Sequence, residues 1–193
     1  MIDTWLASPY LLLFARLTLG GVFVLGAVGK WLDPAGAEAA LRKRPWMPAG
    51  LARLGARGMP LVEALVGALL LLGLALQPAA LAAAALLLVF TATVVADLRQ
   101  GTATACHCFG RFSNEQVSPA TLVRNGVLIV LAALLVWHPT PYVALDALWA
   151  AGAGVLPPLV NAVPVVFLAV IVVVAIVVGR IFVETIRGFL RAF

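Results

Sequence analysis

Ionisable side chains are scarce in this chain of 193 residues: 11% of its residues are charged, whereas 64% are apolar. The mean hydropathy of +1.11 excludes an ordinary soluble domain, because long uncharged runs of this kind are typical of membrane-spanning helices. The net charge of +5 is modest, and the cations flank the apolar runs. They therefore indicate orientation in a bilayer rather than binding to nucleic acid.

Cysteine and histidine are equally scarce, with two of each. Two cysteines exclude the disulfide framework of a small secreted protein. A closed tetrahedral zinc site needs four ligands. The cysteines and one histidine form the segment Cys106-His107-Cys108, and the other histidine, His138, is predicted on the opposite face of the membrane. No zinc site is therefore expected from this chain alone.

The apolar runs predict five membrane-spanning helices, since unpaired backbone groups in lipid cost several kcal/mol each. The predicted spans are Pro9 to Lys30, Met59 to Leu76, Ala79 to Ala96, Ser118 to Trp137 and Pro164 to Ile186. We predict a tight turn at Gln77-Pro78 and expect the first span to be retained rather than cleaved. The predicted fold is an all-α integral membrane protein, with a four-helix transmembrane core and an additional C-terminal transmembrane helix.

Three parts of the chain follow from these spans. Residues 1–139 are predicted to form the four-helix core, with the Cys-His-Cys loop at 101–117. Residues 140–163, broken by proline and glycine, are predicted to form an interfacial or re-entrant segment. Residues 164–193 are predicted to contain the last transmembrane helix.

The distribution of cations predicts the orientation. With the N-terminus outside, twelve of the thirteen Lys and Arg residues lie on one side, which should be the cytoplasmic side of a bacterial inner membrane. The exception is Arg16, inside the first span. The Cys-His-Cys loop is then expected at the cytoplasmic face.

Two ionisable side chains, Arg16 and Glu63, fall inside predicted spans, where such groups are functional candidates by default. Their depths argue against a direct pair, because Arg16 lies nearer the outer end and Glu63 nearer the inner end. Glu63 is expected to meet Lys30 or Arg124 instead. In the purely structural alternative, Arg16 and Lys30 extend their charges to the interface and Glu63 forms one interhelical ion pair.

The thiol pair allows three interpretations. A structural staple is not expected, since a cross-link over so short a loop stabilises little. A redox pair is expected to be strained and easily exchanged, with His107 and Arg111 favouring the thiolate form. Two thiolates also suit a two-coordinate soft ion such as Cu(I) or Hg(II). The remaining interpretation is that the cysteines have no role.

Several segments together resemble the MauE family, the methylamine-utilisation membrane proteins of the wider DoxX-like group. The resemblance covers about residues 10 to 137 and rests on Arg16–Gly21, Gly29–Pro34, Pro60–Glu63 with Gly67, Cys106–Phe112 and Leu122–Asn125. It implies a four-helix core, often with an added span, and a role in thiol–disulfide handling beside thioredoxin-like partners during protein maturation. Residue by residue, the implied functional positions are Cys106, Cys108, Glu63, Arg124 and Asn125.

Three functions remain open on the sequence. The first is membrane thiol–disulfide exchange or electron transfer, with Cys106 and Cys108 as the couple and His107 tuning them. Glu63, Arg124 and Asn125 would then shape a polar pocket beneath the loop, and a lipid-phase quinone is the one cofactor considered. The second is a non-catalytic subunit of a larger membrane complex, and the third is a soft-metal carrier. The expected partners are the lipid bilayer and a thioredoxin-like protein or other membrane subunits.

Overall fold

The computed structural model describes residues 7–44, 47–100, 119–139, 142–146 and 163–173. These residues form helices and connecting turns. The helices are α1 (Pro9–Leu32), α2 (Pro34–Arg42), α3 (Ala49–Leu72), α4 (Leu76–Arg99), α5 (Pro119–Trp137) and α6 (Val163–Val173). Four of them, α1, α3, α4 and α5, are long and apolar enough to cross a membrane. The predicted all-α membrane fold is confirmed.

The four long helices pack in two pairs, α1 against α3 and α4 against α5. The pairs contact each other through α1 with α5 and through α3 with α4. Their shared core is built from leucine, alanine and a few larger apolar side chains, among them Leu19, Phe23, Leu70, Ala80, Leu87, Ala132 and Leu135. Many other apolar side chains of the same helices are exposed. A bundle that is apolar on its outside as well as in its core is suited to a lipid environment.

Glycine brings α1 and α3 close together. A Cβ atom added at Gly67 would lie 2.8 Å from Cγ2 of Val24 and 2.9 Å from the carbonyl oxygen of Gly20. Such distances leave no room for a side chain. Small residues at a membrane helix interface allow this close backbone approach, which increases van der Waals contact between the helices.

The turn between α3 and α4 differs from the prediction. The predicted turn at Gln77-Pro78 is wrong, because the chain reverses at Gly73–Ala75 and both Gln77 and Pro78 lie in the first turn of α4. Gly73 adopts a left-handed conformation with φ of 70° and caps α3, a role that glycine fills most easily. Proline is tolerated in a first helical turn because the N–H that it lacks has no intrahelical acceptor there.

Helix α2 was not predicted from the sequence. The side chain of Asp33 accepts a hydrogen bond from the backbone N–H of Gly36 at 2.9 Å, and Pro34 opens the helix. Arg42 donates to Glu38 one turn earlier, and this hydrogen bond holds the pKa of Glu38 below its usual range. Ala37 of α2 is buried, and α2 packs mainly on α3. The segment is too short and too polar to give a periodic apolar signal.

Several predictions concern residues outside the described parts of the chain. The Cys-His-Cys loop falls wholly in 101–118, and most of the predicted interfacial segment and of the last span falls in 147–162 and 174–193. Helix α6 begins one residue before the predicted fifth span and covers its first part. The division into three parts stays a prediction.

Candidate functional site

An ion pair is buried between α1 and α3. The ammonium nitrogen of Lys30 donates to both carboxylate oxygens of Glu63, at 2.5 and 2.7 Å. Lys30 is 8% exposed and Glu63 is 2% exposed. The same ammonium lies 5.3 Å from the ring centroid of Phe90 on α4, a cation–π distance. One cation therefore joins three helices.

These contacts decide two of the sequence interpretations. The expectation that Glu63 meets Lys30 rather than Arg16 is confirmed. The alternative in which Lys30 extends its charge to the interface is wrong, because the side chain turns inward onto a carboxylate. A buried lysine extends its side chain so that the ammonium group reaches water. Pairing with the carboxylate of Glu63 removes that need.

A second polar group links α4 to α5. The guanidinium of Arg124 donates to Oδ1 of Asn125 at 3.0 and 3.3 Å. The amide nitrogen of Asn125 donates to the hydroxyl of Thr91 at 3.3 Å, and that hydroxyl donates to the carbonyl of Leu87 at 2.7 Å. Asn125 is 2% exposed. Interhelical hydrogen bonds of this kind typically stabilise membrane bundles by about 0.6 kcal/mol each.

The two polar groups meet at a small cavity of about 30 Å³. Its lining contains Glu63, Arg124 and Asn125, and the rest is apolar: Val22, Phe23, Gly26, Leu87, Phe90 and Leu128. The structure thus brings together on one cavity the three residues that the sequence proposed for a shared pocket. Whether they bind a cofactor stays a prediction.

The size of the cavity limits what it holds. An apolar protein cavity that accepts benzene measures about 150 Å³, whereas one water molecule needs roughly 10–15 Å³. A quinone ring does not fit, so we derive no step through a quinone at this site. One or two water molecules do fit, and the carboxylate, guanidinium and amide groups supply the two to four hydrogen-bond partners that a buried water needs.

A further ion pair lies near the end of the bundle where α4 terminates. Arg44 donates to Asp97 at 3.2 Å, and Asp97 is 5% exposed. Sequence reasoning missed this pair. The sequence offered one signal: Asp97 is an acidic residue directly after an apolar run, on the side of the membrane where the cations are predicted. The contact ties Arg44, just beyond the end of α2, to α4.

Arg16 lies at the opposite end of the bundle. It is 1% exposed, and its guanidinium donates to the backbone carbonyls of Tyr142 and Val143 at 3.2 and 2.6 Å. It also lies beside Gly73, at the C-terminus of α3, where the helix carries partial negative charge. Arg16 therefore has carbonyl partners within the protein, and its position relative to the membrane interface stays a prediction.

The predicted reactive residues, Cys106, His107 and Cys108, lie outside the described residues, and so does Arg111. Among the residues that the structure does describe, no group of three or more His, Cys, Asp or Glu side chains is placed to hold a metal ion. The soft-metal interpretation, which depends on the cysteines, stays a prediction.

The helical bundle, its lipid-compatible exterior and its buried ion pair define a multi-pass integral membrane protein of the all-α class. The family described as "Methylamine utilisation protein MauE" matches residues 8–138. A protein of Paracoccus denitrificans named "Methylamine utilization protein MauE" is 35% identical over 129 residues, which cover 66% of this chain and 69% of that relative. The chain therefore belongs to the MauE family, as its resemblance implied. No solved structure matches it.

Proposed function

We propose that this protein is an integral membrane thiol–disulfide exchange protein that acts in the maturation of a partner protein. The observation that supports it best is the buried polar cluster at one cavity, formed by Lys30–Glu63 and Arg124–Asn125. Ionisable groups in a membrane bundle are costly and usually functional. The segment that carries both cysteines connects α4 to α5. These are the two helices joined by the Arg124–Asn125 part of the cluster.

Chain connectivity limits the distance of the thiols from the end of α4. Residues 101–118 join the end of α4 to the start of α5, and Asn125 lies about 9 Å along α5 from Pro119 at 1.5 Å per residue. Cys106 is six residues beyond Gln100, so an extended chain places it at most about 20 Å from that residue. This limit supports the proposal that the thiols lie at the same end of the bundle as Arg44 and Asp97.

The proposed chemistry is a disulfide transfer in two steps. A thiolate of the partner attacks one sulfur of the Cys106–Cys108 disulfide, which breaks that bond and releases the other cysteine as a thiolate. The second thiolate of the partner then attacks the mixed disulfide and releases the first cysteine. The partner loses two electrons and two protons, and the pair gains them as two thiols. A strained small-ring disulfide favours this direction because it is easily reduced.

Thiol trapping in membranes tests the proposal. Maleimide carrying a mass tag, added before and after reductant, is expected to label Cys106 and Cys108 only after reduction in part of the wild-type population. Cys106→Ser and Cys108→Ser are each expected to abolish maturation of the partner, while Ser113→Ala, a matched change in the same segment, has no effect. A pair that never oxidises, with both serine variants fully active, contradicts the proposal.

The name of the Paracoccus relative suggests the process concerned. We propose that this chain supports methylamine utilization, and that it does so through its cysteines. In a Paracoccus denitrificans strain without its own MauE protein, the wild-type chain is expected to restore growth on methylamine, and the Cys106→Ser/Cys108→Ser variant is not. If both chains restore growth on methylamine, the protein supports methylamine utilization without its cysteines, and the thiol-exchange proposal is wrong.

A second candidate function is that of a non-catalytic subunit in a larger membrane complex. The supporting observation is helix α6, on which Val163, Phe167 and Leu168 are 64%, 67% and 54% exposed. Such a face suits lipid or the helix of another subunit. Purification in a mild detergent distinguishes the two, since a stable complex supports the subunit role and a monomer of 20.2 kDa argues against it.

A further inference from the structure

One face of α3 changes from cationic to apolar along its length. Arg53, Arg57, Leu61 and Leu65 follow one another at four-residue intervals, so they lie in a row on the same side of the helix. All four are exposed: the side chain of Arg53 is 61% exposed, and Leu61 and Leu65 are 61% and 60% exposed. The row points away from the bundle core.

The charge of this row is poorly neutralised. Glu38, on the neighbouring α2, accepts two hydrogen bonds from Arg42, at 2.6 and 2.9 Å. The same carboxylate also forms an ion pair with Arg53, at 3.6 Å. Arg57 makes no hydrogen bond or ion pair with any residue that the structure describes. One carboxylate is thus shared by Arg42 and Arg53, and the row keeps a net positive charge that is available to an external anion.

Space for such an anion exists beside the arginines. Gly50 and Gly58 flank the row, and a Cβ atom added at either would meet no atom within 4 Å. A headgroup can therefore approach the helix backbone closely. Arg57 and Leu61 are separated by about 6 Å along the helix axis, a single turn in which the surface passes from guanidinium to leucine.

We propose that this face of α3 binds an anionic diacyl phospholipid, with its phosphate between Arg53 and Arg57 and an acyl chain along Leu61 and Leu65. Arginine matches a phosphate group with paired N–H donors, and cations close to an anionic lipid surface are attracted to it. The one-turn change from cation to leucine corresponds to the boundary between headgroup and hydrocarbon. The site does not depend on the cysteines or on the proposed thiol chemistry.

Native mass spectrometry of the purified full chain tests the site. The probes are phosphatidylglycerol, phosphatidylcholine with the same acyl chains, and free glycerol 3-phosphate. We expect phosphatidylglycerol to be retained, and Arg53→Gln/Arg57→Gln to weaken its binding about tenfold or more. The control Lys43→Gln/Arg99→Gln removes the same charge from two other exposed positions near the same end of the bundle, and we expect a loss of less than about threefold.

The remaining measurements distinguish a lipid-binding site from a site for a soluble phosphate compound. Leu61→Ser, which keeps both arginines, is also expected to weaken phosphatidylglycerol binding, and an unchanged melting temperature in phosphatidylcholine shows that each variant folds. Equal losses in the two double variants, or equal retention of phosphatidylcholine, would overturn the proposal. Competition by glycerol 3-phosphate at the same concentration as the lipid would also overturn it, since that result assigns a soluble phosphate site.

Discussion

Lys30 and Glu63 contact each other inside the bundle, with little of either side chain exposed. Charges at such a depth are tolerated only when they are paired, and a pair does not by itself stabilise a fold more than well-packed apolar side chains would. We propose that the pair both fixes the register of α1 against α3 and places a carboxylate at the cavity.

Replacing Glu63 by Gln is expected to destabilise the protein by about 3–5 kcal/mol, because it leaves a buried ammonium without its counterion. The double variant Lys30→Met/Glu63→Leu is expected to regain most of that stability, since it removes both charges. Thermal unfolding in lipid nanodiscs measures both. Glu38→Gln is the matched control because Glu38 lies on α2, outside the bundle core. A Glu63→Gln variant as stable as the wild type would show that the pair is not buried.

Sequence reasoning reached some of these residues and not others. Depth along the spans limited the expected partner of Glu63 to Lys30 or Arg124, and the family resemblance added Asn125. The partners of Arg16 could not be found in this way, because they are backbone carbonyls more than 120 residues away and carbonyls carry no sequence signal. Asp97 was missed for a related reason: its partner Arg44 lies in a segment that has no apolar periodicity.

The contact of helix α1 with helix α3 depends on glycine, which has no side chain to hold the two backbones apart. The carbonyl oxygen of Gly20 and the backbone nitrogen of Val24 lie 2.9 and 3.0 Å from where a Cβ of Gly67 would be. Backbone atoms cannot move aside as a flexible side chain can. The close approach therefore brings the backbone of Lys30 near enough to α3 for its side chain to reach Glu63.

Gly67→Ala is expected to destabilise the protein by about 1–3 kcal/mol, the usual cost of overpacking a tight interface. Gly58→Ala, on the same helix with nothing within 4 Å of the added methyl, is expected to be neutral or slightly stabilising, since alanine favours helix more than glycine does. Unfolding measured side by side in one detergent compares the two. Equal effects would mean that the α1–α3 contact is looser than described.

The helices themselves show where sequence patterns succeed. The bounds of α1 and α5 agree with the predicted spans to within two residues, because proline opens both and long apolar runs fill them. Helix α3 begins ten residues earlier than predicted, since its first turns carry Arg53 and Arg57 and extend out of the apolar run. Helix length and transmembrane length are different quantities, and hydropathy reports only the second.

For the whole molecule, charge distribution supports an orientation. Among the described residues, the end of the bundle that holds α2 carries Arg42, Lys43, Arg44, Arg53, Arg57 and Arg99. At the opposite end, the only described cation is the buried Arg16. We propose that the cation-rich end faces the cytoplasm and the N-terminus faces outward, in accord with the positive-inside rule.

Cysteine labelling in intact cells tests this orientation. The exposed Ala7 replaced by cysteine, in a chain that lacks both native cysteines, is expected to react with a membrane-impermeant maleimide added outside. Cys106 and Cys108 of the wild-type chain, once reduced, are expected to react only after the membrane is permeabilised. The reverse pattern would place the thiols outside and would require a different partner.

The most direct measurement of the central claim is covalent capture of the partner. The proposed exchange is reversible, so the remaining thiolate of a single-cysteine variant attacks the disulfide of the oxidised partner, and the mixed disulfide persists because the second cysteine that would release it is missing. Either Cys106→Ser or Cys108→Ser is therefore expected to accumulate a heavier species that disappears on reduction and is absent from the double serine variant. If neither single variant forms such a species while the wild-type thiols remain reduced under oxidising conditions, the protein does not exchange disulfides.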